Sequence, residues 1–299
     1  MWEHSLVALT LGVFVVGCGD DGKGGNYTNA TTRATAGDGM IGAVDLAVRP
    51  APSAQGIEPG TGAGAIIDGW TVQYTKFVVV IGGFQAETLR DPGEHVVDLL
   101  AEPTGAVIAR LRDVPVGPYG SLGFTWPVAG QASEPPGPDR DRMLNVYSIY
   151  FEGRIAKKDG QSCRPSDPTD CVAADEIRFR WGFDAPAAAT ECAGFEVMVD
   201  ETTEITLEIP GDRWFDTTFD PDDGSPLRAQ WIADADRDHD GETTLDELQG
   251  LRALDAFRPE LGYDLASAAS PIDLASEYVE SQIRTLGRDS WGACRTTPP

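Results

Sequence analysis

The sequence predicts a mainly β protein: an antiparallel β-sandwich, Ig-like or related, followed by a small α-helical lobe at the C-terminal end. Three observations carry that expectation. Short apolar segments with a period of two recur between residues 41 and 209. Turn residues separate them, and after Trp214 the apolar period becomes helical. The 41% hydrophobic content of the 299 residues is enough to fill a core of this kind.

Residues 1–17 read as a lipoprotein signal peptide. The apolar run at 6–16 is far shorter than the about 20 residues that cross a bilayer as a helix. It ends in Val15-Val16-Gly17-Cys18, a lipobox-like junction that would make Cys18 the lipidated first residue of the exported chain. The segment before the run carries Glu3 and His4 but no Lys or Arg, a departure from ordinary signals. Residues 18–40 are rich in Gly, Thr, Asn and Ala without apolar periodicity, as in a flexible tether.

The predicted β domain spans 41–222. Strand signals fall at 41–48, 70–81, 95–100, 107–111, 121–128, 144–155, 177–183, 195–199 and 205–209. In Ile177-Arg-Phe-Arg-Trp-Gly-Phe183 the apolar side chains share one face, and Arg178 and Arg180 share the other. The unbroken run Val78-Val-Val-Ile81 suits a strand entering the centre of a core.

The helical lobe spans 223–299. Asp220-Pro-Asp-Asp-Gly224 is turn chemistry, and Ser225-Pro226 predicts a helix start with Leu227, Trp231 and Ile232 on its apolar stripe. Leu245, Leu248, Leu251 and Leu254 predict a second helix. A third starts at Ser270-Pro271 with Ile272, Ala275, Val279, Ile283 and Leu286 at helical spacing and Gly287 just past its end.

Between the first two helices lies Asp236-Arg-Asp-His-Asp-Gly-Glu-Thr-Thr-Leu-Asp-Glu247, which matches an EF-hand calcium loop. Asp236, Asp238 and Asp240 take positions one, three and five, Gly241 the sharp turn, and Glu247 the bidentate position. Glu242 would contribute its backbone carbonyl, and Thr244 a water-mediated contact. An all-oxygen set selects a hard cation, here Ca²⁺. Thr244 to Glu247 is also a capping box, which explains those two residues without a metal. Thr243 stands at position eight, where an aliphatic residue normally pairs with a second loop, so the loop is expected to be unpaired and structural. His239 is expected to point into solvent.

Cys163, Cys171, Cys192 and Cys294 remain after signal removal, an even number that suits disulfides in an exported protein. Of three possible pairings, Cys163–Cys171 with Cys192–Cys294 is favoured, since it closes one local loop and ties down the C-terminal tail. The formal charge of −25 opposes binding to phosphate backbones, which excludes nucleic acid as a partner class. No catalytic residue can be named. A Ser–His–Asp arrangement through His95 has no supporting local motif, and Trp126, Trp181, Trp214 and Trp231 read as core before they read as a carbohydrate groove.

Asp68-Gly-Trp-Thr-Val, Phe179-Arg-Trp-Gly-Phe183, Gly211-Asp-Arg-Trp-Phe215 and Leu286-Gly-Arg followed by Cys294 together resemble a group of uncharacterised exported lipoproteins of myxobacterial type. Those relatives tend to carry His where this chain has Arg213, and the resemblance implies no activity. The expected function is a lipid-anchored cell-envelope protein with a structural calcium site. It would lie in the outer membrane, on its periplasmic face or at the cell surface, and act as a binding or structural module toward an envelope protein or glycan. The alternative is a secreted-type hydrolase acting on polysaccharide.

Overall fold

The structure is a computed structural model that describes residues 39–165, 167–219, 225–288, 291 and 294–297. The signal peptide, Cys18, nearly all of the tether and the turn at 220–224 lie outside them. Strands dominate: β1 (Ile41–Pro50), β2 (Gly56–Ile57), β3 (Thr71–Ala86), β4 (Leu89–Asp98), β5 (Ala106–Pro115), β6 (Gly117–Tyr119), β7 (Leu122–Trp126) and β8 (Ile149–Ala156) come first. They are followed by β9 (Gln161–Arg164), β10 (Asp167–Ala173), β11 (Glu176–Phe183), β12 (Ala187–Cys192), β13 (Phe195–Val197), β14 (Thr202–Ile209), β15 (Glu242–Thr244) and β16 (Arg295–Thr297). The helices are short: α1 (Pro138–Met143), α2 (Gln230–Ala235), α3 (Leu245–Gln249), α4 (Ala253–Ala256) and α5 (Ala275–Ile283).

The main sheet runs β15-β11-β8-β3-β7-β12-β16, with β2 and β4 also paired to β3. A second sheet runs β14-β1-β5, and β9–β10 and β6–β13 are separate two-stranded ribbons. The protein is therefore mainly β with several sheets. Inward residues of both larger sheets share one core, in which Val44, Leu46, Val48, Ile205 and Leu207 meet Phe77, Val79 and Phe151. Two pairings are parallel, β1 with β14 and β11 with β15, which departs from the purely antiparallel expectation. In both cases the added strand arrives from far along the chain rather than through a hairpin.

The unbroken apolar run in β3 has a clear cause. Phe77, Val79 and Ile81 enter the main core, while Val78 and Val80 enter a smaller cluster with Val96, Ala129, Met143 and Tyr150 on the opposite face. Both faces of the strand are dry, so alternation disappears. The helix α1, which the sequence reading did not foresee, supplies Met143 to that second cluster.

Aromatic rings join the sheet to the C-terminal helices. Trp214 stacks on Phe151 at 4.4 Å between centroids. Phe151 meets Trp181 at 5.6 Å, Trp181 stacks on Trp231 at 5.5 Å, Trp231 meets Phe257 at 5.3 Å, and Phe257 stacks on Tyr278 at 3.9 Å. The helical residues therefore share the core of the strands, and residues Ala36–Pro299 pack as one compact unit.

Helix boundaries differ from expectation for identifiable reasons. The first helix starts at Gln230, not at Ser225-Pro226, because its cap comes from elsewhere: Asp68 Oδ2 accepts the Ala229 and Gln230 amides at 2.9 Å each. Leu227 instead makes bridge contacts with Ile66 and Asp216. Gly250 ends α3, which splits the leucine stripe between α3 and α4. The last helix starts at Ala275, where Glu277 reaches back to the Asp273 and Leu274 amides, and Gly287 lies inside a 3₁₀ turn rather than beyond a helix end. Disulfides join Cys163 to Cys171 across β9–β10, and Cys192 to Cys294 between β12 and the segment leading into β16.

Trp214 is fully buried and touches Tyr74, Phe77 and Phe151. Trp214→Ala should lower the free energy of unfolding by about 3–5 kcal/mol, read by urea denaturation with both disulfides intact.

Candidate metal centre

Helix α2 ends at Ala235, and Asp236 follows as its C-cap with its side chain buried at 2% exposure. The chain then turns through His239 and Gly241, both in the left-handed region at φ 59° and 82°. That conformation is cheap for glycine and costly for the bulkier histidine. The turn is drawn together by its own carboxylates. Asp236 Oδ1 accepts the Asp240 amide at 3.1 Å, and Oδ2 accepts the Gly241 amide at 3.0 Å. Asp240 Oδ1 accepts the Glu242 amide at 2.8 Å.

The result brings Asp236, Asp238 and Asp240 together, with one oxygen of each lying within 4.8 Å of the others. Two oxygens bound to one Ca²⁺ at about 2.3–2.6 Å are at most about 5 Å apart, so the spacing fits a shared hard cation. Asp236 is buried, whereas Asp238 and Asp240 are exposed. Burial raises the Asp236 carboxyl above its ordinary range, amide hydrogen bonds oppose the rise, and the nearby Glu247 and Asp240 charges add to it. A cation would relieve that repulsion and favour the charged forms.

The other expected ligands sit differently. Glu247 closes the loop but is not part of the acidic triplet: Oε1 accepts the Arg237 amide at 2.9 Å, and Oε2 accepts the Thr244 amide at 2.8 Å and its hydroxyl at 2.9 Å. With the Thr244 hydroxyl accepting the Glu247 amide at 3.3 Å, this is the capping box of α3. The Glu242 carboxylate turns to Arg180 at 2.8 Å, leaving only its main chain to face the loop.

Thr243 corrects the expectation of an unpaired loop. Glu242, Thr243 and Thr244 lie in parallel register with Arg178, Phe179 and Arg180 of β11. The Thr243 side chain is fully buried, its hydroxyl donates to the Ile232 carbonyl at 2.7 Å, and its carbonyl accepts the Trp181 Nε1 proton at 2.8 Å. The partner of this position is the main sheet rather than a second loop. A polar residue fits here because α2 offers a carbonyl for its hydroxyl. His239 is half-buried rather than fully solvated, with Nδ1 lying 3.3 Å from the Ser162 hydroxyl of β9.

The loop forms one wall of a cleft of about 510 Å³, and Cys163, Arg164 and Pro165 line the other wall. Asp234, which sequence reasoning missed, lines it too. It receives the Cys163 amide at 2.9 Å and the Gln230 side chain at 2.8 Å, while burial raises its carboxyl. Its place two residues before Asp236 was the available signal.

Elsewhere, His95 lies in β4 with Nε2 at 3.0 Å from Asp91, while the Ser133 hydroxyl donates to Glu94 at 2.6 Å. Among the described residues His95 and Ser133 are thus held by different carboxylates and form no Ser–His–Asp relay. Trp126, Trp181, Trp214 and Trp231 are all buried in the core. No protein-family model, curated protein or solved structure matches the chain.

A second cleft, of about 560 Å³, holds Asp212, Arg213 and Asp216. Burial pushes the Asp216 carboxyl up to about 6, Arg213 pulls it back, and the Asp212 charge adds to the rise. Between the unfolded value of 3.8 and about 6 the native state holds the extra proton. Stability from this group is therefore full below the lower value and lost as pH rises through the upper one. The loss is on the order of 3 kcal/mol at most. Urea denaturation across this pH range, without added cation, should show a smaller fall for Asp216→Asn than for wild type.

Proposed function

We propose that residues 236–247 form an EF-hand-like calcium site with a structural role, in an exported protein whose two larger sheets face each other as a β-sandwich. The observation that carries this reading is the convergence of three carboxylates on a loop whose next residues are hydrogen-bonded to the edge of the main sheet. Calcium suits the site better than magnesium because an irregular, carboxylate-rich loop offers more oxygens than a near-ideal octahedron accepts. Asp236, Asp238 and Asp240 would hold the cation. Glu247 would join them by exchanging part of its backbone contacts, and the Glu242 carbonyl and a water at Thr244 would complete the shell. The bound charge would offset carboxylate repulsion and hold β15 on β11, a clasp rather than a sensor.

Two disulfides support export to an oxidising compartment, where calcium is available to a site of modest affinity. No helix among the described residues is long and apolar enough to cross a membrane. A lipid on Cys18, as the lipobox-like junction suggests, would place the protein on an envelope membrane. There it would serve as a surface binding or structural module for an envelope protein or glycan.

Thermal denaturation tests the cation. The melting temperature should rise with added Ca²⁺ and fall with chelator, by about 2.7 kcal/mol of stability at a hundredfold excess over Kd, and Asp236→Ala should abolish the response. A wild-type curve indifferent to both additions would overturn the reading. Cys18→Ser should move the protein from the membrane fraction to the soluble one on cell fractionation.

A further inference from the structure

We infer that the free edge of β5 is a docking site for an extended, basic segment of a partner polypeptide, added as a fourth strand to the β14-β1-β5 sheet. This rests on a part of the molecule remote in sequence from the acidic loop and does not depend on the calcium reading. Strand β5 ends its sheet and pairs only with β1, so among the described residues its outer edge has no strand partner. A cleft of about 510 Å³ runs along that edge, within the roughly 300–1,000 Å³ range of ligand sites. Ala106, Val107 and Ile108 all line it. Consecutive strand residues alternate sides, so a cleft that touches all three meets the strand edge-on, where its amides and carbonyls lie.

The other wall of the cleft cannot complete the ladder. Around His95, strand β4 already bonds Glu134, whose carbonyl accepts the Val96 amide at 2.6 Å and whose amide donates to the Glu94 carbonyl at 2.8 Å. The wall beyond it carries Pro135, Pro136 and Pro138, which have no N–H to give. The devices that normally protect an edge are also missing where the cleft touches β5. Residues 106–108 carry no charge and no proline, and Val107 is 44% exposed.

Charge selects the occupant. Asp98, Glu102, Glu134 and Asp139 line the cleft together with Arg140. Lys76 bridges Asp98 and Asp139 at 2.8 Å each, and Arg140 is held by Asp141 at 2.8 Å. Glu102 and Glu134 are exposed and have no ion-pair partner among the described residues. An incoming strand that alternates apolar and basic side chains would pair its backbone with β5, lay apolar groups on Val107 and the prolines, and bring Lys or Arg to those two carboxylates. A second copy of a chain with net charge −25 is the wrong partner on the same ground.

The test uses a fluorescein-labelled Lys-Val-Lys-Val-Lys-Val peptide, followed by anisotropy at low salt on the folded protein with both disulfides intact. Saturable binding is expected. It should weaken by about tenfold or more when alternate peptide amides are N-methylated, when Glu replaces Lys in the peptide, and in the Glu102→Lys/Glu134→Lys protein. The remote Glu191→Lys variant should bind like wild type. Amide signals of β5 followed by NMR should shift on binding and report that each variant is folded. Absence of saturable binding, or affinity unchanged by N-methylation or by the double charge reversal, would overturn the inference. Concentration-dependent dimerisation of the unliganded protein through the β5 amides would also overturn it, assigning the edge to a second copy.

Discussion

The short parallel ladder between β11 and residues 242–244 is the contact on which the C-terminal third of the molecule depends. It converts the acidic turn from a surface loop into the last strand of the main sheet. Two buried hydrogen bonds fasten it, one from the Trp181 indole to the Thr243 carbonyl and one from the Thr243 hydroxyl to the Ile232 carbonyl. Each joins a buried group to a partner that would otherwise be unsatisfied, so loss of either partner strands the other. With β15 fixed, the direction in which α2 enters the turn and α3 leaves it is set, and the carboxylates of Asp236, Asp238 and Asp240 have little choice but to converge.

The opposite edge of the same sheet is closed by comparable means. Strand β16 pairs with β12, and the Cys192–Cys294 bridge holds it there. Both ends of the main sheet are thus covered by segments from the C-terminal part of the chain, one non-covalently and one covalently. An open edge of this length would otherwise present a row of unpaired amides to any neighbouring chain. Among the described residues the smaller sheet has no such cover at β5, which makes the difference between its edge and those of the main sheet informative.

Much of the fold was legible in local pattern. The alternation around Ile177 to Phe183, the continuous valine run and the cysteine spacing each reflect one simple constraint: one dry face, two dry faces, or a local loop to close. The three aspartates of the acidic triplet were legible for the same reason, since a recurrent carboxylate every second residue is costly without a purpose. What escaped was set by long-range contacts. The start of α2 depends on Asp68, 161 positions before Ala229. The fate of Thr243 depends on a strand sixty-odd residues upstream, and its polarity pointed away from burial until a carbonyl was found for it. Glu247 looked like a metal ligand and a helix cap at once, and the sequence offered no means of ranking the two, because both roles ask for the same carboxylate at the same place.

The carboxylate of Asp68 ties the C-terminal segment to the strands that precede it. It caps a helix that lies on the far side of the β domain in sequence, while Lys157 binds the carbonyl of the same residue at 2.8 Å. The C-terminal segment is therefore not a portable module. Cut from the chain, it would lose the cap of its first helix, the strand that receives β15, and the Trp181 ring that continues its aromatic stack. Whatever affinity the acidic loop has is a property of the whole protein, and a transplanted peptide with the same twelve residues would start from a different and weaker site.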